Sequence, residues 1–160
     1  MSSLKKTNAA RTLDKLGIPY VLNSYPVDPD DLSATHVAEA LNVDPARVFK
    51  TLVTRGHPNG IAMACIPGDA GLDLKKLAAV FGDKSVEMVP LKDVLPLTGY
   101  IRGGCSPVGT KKKYPVCIDA SAKNFETIYV SAGQRGLQFV IAPGDLARAV
   151  GAVFADIVME

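Results

Sequence analysis

Cysteine is scarce in this sequence and its spacing is unhelpful to a metal: Cys65, Cys105 and Cys117 are odd in number and include no C-x-x-C pair. That argues against a disulfide framework and a cysteine-rich zinc site, and three reduced thiols are expected. Histidine is scarcer, with only His36 and His57, placed in a predicted helix and a hairpin loop without ligand-like spacing. No metal and no cofactor is therefore expected. Long apolar runs are also missing. Nothing approaches the ~20 residues that span a bilayer, and the N-terminal Met-Ser-Ser-Leu-Lys-Lys-Thr-Asn carries charge without an apolar region behind it. A cytoplasmic protein with no membrane segment is the expectation. An excess of one charge is absent too, since 18 Lys and Arg face 16 acids for a formal charge of +2. Such a balance excludes a dedicated nucleic-acid coat, so any basic surface must be local. Repeats, low-complexity tracts and linkers are not seen.

What is present suits a core. A hydrophobic content of 48% in 160 residues fits one domain over residues 1–160. Ala10, Leu13 and Leu16 share a helical face between Thr7 and Leu16, and Gly17 is the expected stop. Ser33 and Asp73 are candidate N-caps for helices to Leu41 and Val80. Val48–Thr54 and Ile61–Pro67 read as a hairpin with a loose loop over 55–60, at the centre of the sheet. Further strands are expected at 20–25, 85–88, 116–119, 127–131 and 137–142, with helical turns at 91–95 and 120–125 and a closing helix at 145–150. Strands joined by hairpins, with helices at irregular intervals, predict an α+β fold with a mixed, largely antiparallel sheet.

Two features invite chemistry. Lys50 lies inside the apolar run Val48-Phe-Lys-Thr-Leu-Val53, where alternation gives it a face shared with Val48 and Leu52. Burying an ammonium costs several kcal/mol unless it is paired. It therefore serves an anionic or carbonyl partner, or snorkels to water from an edge strand. The second feature is Thr98-Gly-Tyr-Ile-Arg-Gly-Gly-Cys-Ser-Pro-Val-Gly-Thr-Lys-Lys-Lys113. Its glycines let backbone approach a ligand and let amides converge on one oxygen, while Pro107 restricts the loop. Gly104 to Gly109 has the spacing of a phosphate loop, but Thr110-Lys111 reverses the order that motif requires. Lys111, Lys112 and Lys113 either contact phosphates of a nucleic acid or form a solvated charge run. Ser106 and Ser131 have no His and Asp partners in sequence context, so a hydrolytic triad is not supported.

Taken together, Arg47-Val-Phe-Lys-Thr-Leu52, the run from Thr98 to Gly109, and Phe125-Glu-Thr-Ile-Tyr-Val-Ser-Ala-Gly133 with Arg135-Gly-Leu137 resemble the YbaK/EbsC family of Cys-tRNA(Pro) deacylases. The resemblance extends from Lys6-Thr-Asn-Ala-Ala10 to Phe154-Ala-Asp-Ile157. It implies a barrel-like sheet surrounded by short helices, akin to the editing domain inserted in bacterial prolyl-tRNA synthetases. It further implies trans-editing of tRNA(Pro) mischarged with cysteine. A proline pocket cannot strongly exclude an amino acid of similar size, because small apolar differences are worth about 1–3 kcal/mol.

By the same resemblance Lys50 matches the family's essential lysine, and Gly103 to Pro107 its Gly-x-x-x-Pro loop at the aminoacyl ester. The amides of Gly103 and Gly104 are then oxyanion donors, and Ser106 and Pro107 part of the ester clamp. Tyr25, Thr51 and Ser131 match further pocket positions. The family's chemistry uses the substrate's own thiol, which attacks the ester carbonyl to give a thiolactone. Implied partners are the 3′ end of tRNA(Pro) and prolyl-tRNA synthetase. Two departures stand out. Gln138 occupies a position where relatives often carry an acid, and Cys105 replaces an aliphatic residue of the loop. Gln138 thus bears on selectivity, and editing of alanyl, seryl or threonyl esters remains an alternative. So do a noncatalytic tRNA- or synthetase-binding module and a small-molecule esterase.

Overall fold

The computed structural model describes residues 6–160. Helix α1 (Asn8–Leu16) starts where the Thr7 hydroxyl accepts the Ala10 N–H and stops at Gly17, which takes the left-handed conformation at φ 70°. Strand β1 (Val21–Ser24) follows, then α2 (Ala34–Leu41), capped by Ser33 as expected. The hairpin β2 (Val48–His57) and β3 (Gly60–Pro67) comes next. The strands run further than the sequence pattern indicates, with Gly56 opposite Gly60, so the loop expected to be loose is a tight turn. Asp73 caps α3 (Leu74–Phe81) with bonds from Lys75 and Lys76 N–H, and β4 (Ser85–Met88) leads to α4 (Leu91–Thr98). That helix continues past the predicted 91–95 with Pro96 inside it. A chain segment without strand or helix then runs to β5 (Val116–Asp119), followed by β6 (Ile128–Ser131), β7 (Leu137–Ile141), α5 (Pro143–Val150) and β8 (Val153–Ala155).

All eight strands join one sheet in the order β1-β7-β6-β2-β3-β5-β8, with β4 attached to β2. The pairs β1/β7, β6/β7, β2/β3 and β2/β4 are antiparallel, and β2/β6, β3/β5 and β5/β8 are parallel. The sheet is mixed, as expected, and open: among the described residues no pairing joins β1 to β8. β2 and β3 lie at its middle. The principal core gathers Leu13, Phe49, Met63, Ile118, Phe139 and Leu146 around the sheet. A second cluster seats α3 through Leu77 on Ala64, Ile66 and Cys117, and a third seats α2 through Val37 and Ala38 on Val48 and Tyr129. No helix among the described residues is long and apolar enough to cross a membrane.

Candidate active site at a gap in the sheet

Strand β2 outlasts its neighbours on one edge. β6 pairs with Val48 and Phe49, and β4 pairs with Thr54 to His57, leaving the residues between with a ladder to β3 alone. A residue's N–H and C=O point to one edge of a strand, and successive residues alternate. The Val53 carbonyl faces the gapped edge, where it accepts the Val89 N–H at 3.1 Å, while the Val48 carbonyl faces β3 and accepts from Gly68 at 2.7 Å. Thr51 therefore aims its own N–H and C=O into the gap with no ladder partner.

A cavity of about 490 Å³ opens there. It is lined by Val48, Lys50 and Leu52 and also by Phe49, Thr51 and Val53. These belong to opposite faces of β2, so the opening lies at the strand's edge. Leu32, Val37, Leu91 and Val94 add apolar lining, and Ser131, Gln138, Gly103 and Cys105 also line it.

Lys50 is held by what precedes and follows it. Arg47 donates to the Thr127 hydroxyl at 2.8 Å and carbonyl at 3.2 Å and lies over the Tyr129 ring, which ties the start of β2 to β6. The half-buried Lys50 ammonium donates to the Gly68 carbonyl at 3.2 Å. Gly68 must lack a side chain, because a Cβ there would sit 2.7 Å from that of Ala34 in α2. Burial holds the Lys50 pKa below its ordinary value of 10.5, opposed by the nearby charge of Asp69.

The glycine loop meets the cavity through Arg102, Gly103 and Cys105. Gly103 has φ 84°, and its amide finds no acceptor among the described residues. The Gly104 amide is engaged, donating to Ile101 at 2.9 Å. Gly104 is buried, and a Cβ on it would come within 3.2 Å of the backbone at Gln134 and Arg135. Its place is to let the loop lie against the β6–β7 turn, where the Arg135 guanidinium donates to the Arg102 carbonyl at 2.8 Å.

Gln138 is 4% exposed, and its side-chain oxygen has no hydrogen-bond partner among the described residues. It stands opposite Ser131 in the β6/β7 register, and the Ser131 hydroxyl accepts the Gly133 N–H. A buried acceptor left unpaired costs about 1–3 kcal/mol, and the Gln138 oxygen carries that cost in this structure. All three cysteines are free thiols. Burial pushes Cys105 up to about 11 and Cys65 up to about 12, so both are protonated near neutrality and poor nucleophiles.

The structure thus brings Lys50, Thr51, Gly103, Ser131 and Gln138 around one cavity. Tyr25 does not line it and packs instead beside Val37, Val48 and Tyr129. Ser106 and Pro107 are buried behind the loop, where the Ser106 hydroxyl accepts the Val108 N–H at 3.2 Å. Lys111, Lys112 and Lys113 are exposed, and Lys111 lines a separate groove. Sequence reasoning missed Asp31, Leu32 and Arg102 at the cavity rim. The Asp31 carboxyl lies below its ordinary pKa through bonds from the Ser33 hydroxyl and N–H. An Asp two residues before a Ser cap was the available signal for that local structure.

Residues 28–149 match the family model described as "Aminoacyl-tRNA editing domain". Over 153 residues the chain is 46% identical to the "Putative Cys-tRNA(Pro)/Cys-tRNA(Cys) deacylase EbsC" of Enterococcus faecalis (strain ATCC 700802 / V583), covering 96% of this chain and 93% of that one. It is 35% identical over 108 residues to a proline–tRNA ligase of Thermosipho africanus (strain TCF52B), a match covering 68% of this chain and 17% of the ligase. A crystal structure described as "a putative trans-editing enzyme for prolyl tRNA synthetase" matches with a TM-score of 0.84 at 25% identity. That match covers 99% of this chain and all of the other.

Proposed function

The chain belongs to the aminoacyl-tRNA editing domain family, and on that premise we propose that it is a trans-editing hydrolase acting on tRNA(Pro) mischarged with cysteine. The observation that carries the reading is the gap beside β2, where a half-buried lysine, an unpaired backbone and an orphaned amide oxygen converge in one cavity. These groups bind and polarise an ester, and none of them is a nucleophile activated by a neighbouring base. The names of the relatives support the same substrate.

The chemistry follows from that inventory. The substrate's thiol sulfur bonds to the ester carbonyl carbon, the bond from that carbon to the tRNA 3′ oxygen breaks, and the thiol proton passes to the departing oxygen. Water then opens the released thiolactone to cysteine. The protein contributes position and electrostatics. Lys50 exchanges the Gly68 carbonyl for a substrate oxygen, the Gly103 and Thr51 amides receive charge developing on the carbonyl oxygen, and the Gln138 oxygen accepts from the substrate's amine or thiol. Gly104 keeps the loop against its support, while Ser106 and Pro107 brace it from behind.

A partner follows from the weak net charge of +2, which gives limited steering toward RNA: the enzyme works beside prolyl-tRNA synthetase in the cytoplasm. The reading is tested by comparing Cys-tRNA(Pro) with a free cysteine ester. Rapid cleavage of the first and slow cleavage of the second is expected. Equal turnover would make the protein a general esterase, and no turnover of either would make it a binding module.

A further inference from the structure

A second groove, of about 560 Å³, lies between α1 and the far side of the glycine loop. Asn8, Arg11, Thr12 and Lys15 form one of its walls, a spacing that puts all four on one helical face. The other wall includes Gly99, Thr110 and Lys111. Gly99 sits at φ 86°, and a Cβ on it would lie 3.3 Å from the Lys111 side chain, so the glycine lets the lysine stem cross the loop. Among the described residues the lining contains no acid. Asp14, the acidic residue of α1, is bonded instead to the Lys6 ammonium at 2.5 Å and the Tyr20 hydroxyl at 2.8 Å. Arg11, Lys15 and Lys111 are exposed and make no ion pair among the described residues.

We propose that this groove binds the sugar–phosphate backbone of the substrate RNA while its aminoacylated 3′ end occupies the cavity beside Lys50. The proposal rests on the deacylase reading for the identity of the RNA. Cations spread along an open groove suit a polyanion, whereas a single phosphate would need donors converging on one point. The α1 wall of the groove is made of polar side chains, and Leu16, an exposed apolar residue at the end of that helix, is not part of the lining, whereas a membrane-binding helix presents a broad apolar face. Continuity with the cavity comes from the loop, since Tyr100 lines the groove and Gly103 the cavity. Three residues span at most about 11 Å, and the exposed Arg102 adds a cation on the way. Helix α1 also lies outside the matched residues 28–149, so the groove joins the editing segment to a helix beyond it.

The test measures binding of uncharged tRNA(Pro) by fluorescence anisotropy across a salt series, beside single-turnover cleavage of Cys-tRNA(Pro). R11Q/K15Q/K111Q should flatten the dependence of log affinity on log salt by about 2 to 3, at roughly 0.7 to 0.9 per lost phosphate contact. Cleavage at saturating tRNA should be unchanged. A control losing three cations elsewhere, K75Q/K84Q/K123Q, should retain the native slope, and R11K/K15R/K111R should retain binding. Equal slopes for the groove variant and the control would overturn the proposal, as would binding to anionic phosphatidylserine vesicles with none to tRNA. Because uncharged tRNA reports on the groove without chemistry, a failure of the deacylase reading would show separately, as native tRNA binding without cleavage.

Discussion

The two sides of the segment from Thr98 to Lys111 are built from the same stretch of chain and differ in almost every physical respect. On one side Gly103 and Cys105 face a cavity with mostly apolar walls, in which Lys50 is half-buried and Gln138 lies unpaired. On the other, Gly99 and Lys111 face an open groove whose cations are exposed. Burial makes each polar group in the cavity consequential, because an unmet donor or acceptor there is expensive and a met one is selective. Exposure makes each cation in the groove individually weak and screened by salt. On the proposed reading, the cavity supplies chemistry and discrimination, and the groove affinity.

The largest effect that would break this contrast is at Lys50. Lys50→Ala should lower single-turnover cleavage of Cys-tRNA(Pro) by at least ~10²-fold, the scale of losing one preorganised charge-stabilising donor, with an unchanged circular dichroism spectrum. Near-normal cleavage by a folded variant would remove Lys50 from the mechanism. A pH profile sharpens the same point. Burial lowers the Lys50 pKa, so its ammonium is present at low pH and lost as pH rises through a value below 10.5. The enzyme-dependent rate should decline over that range, and a rate that stays flat up to the ordinary lysine value would contradict it.

A smaller change is expected at Gln138. Gln138→Leu removes the orphaned acceptor, and discrimination between cysteinyl and alanyl esters should shift by about 10- to 100-fold, corresponding to a hydrogen bond of roughly 1–3 kcal/mol. A uniform loss on both esters would assign the Gln138 oxygen to the amine that the two substrates share and remove it from thiol selection. The smallest catalytic effect belongs to Ser106, behind the loop. Ser106→Ala leaves the Val108 N–H without its acceptor and should cost about 1–3 kcal/mol of stability. Thermal melting should show that loss, and cleavage well below the transition should stay within about twofold of native.

How much of this was legible in sequence depended on whether the cause was local. Ser33 and Asp73 cap their helices where the pattern placed them, and Gly17 and Gly82 end theirs in the left-handed conformation, because caps depend on a few adjacent residues. The central hairpin was visible for the same reason. Strand β8 was missed, since Val153 to Ala155 are only three residues, none of them buried, and pairing with β5 alone makes them a strand. The gap beside β2 could not be read at all. It arises because β6 and β4, far apart in sequence, pair with opposite ends of one strand. Lys50 and Gly103 were identified by composition and resemblance, but the unpaired backbone of Thr51 needed the sheet. The groove needed α1 laid against Gly109, where a Cβ would come within 3.0 Å of the Ala9 backbone.

The central claim is that the cavity beside β2 holds an aminoacyl ester whose own thiol performs the first step, and one panel tests it directly. Single-turnover cleavage of Cys-, Ala-, Ser- and Pro-tRNA(Pro) should show Cys-tRNA(Pro) cleaved at least ~10²-fold faster than the other three, the margin expected when the nucleophile comes from the substrate and only cysteine supplies it. Equal cleavage of Cys- and Ala-tRNA(Pro) would contradict the account, because alanine has no thiol to attack with.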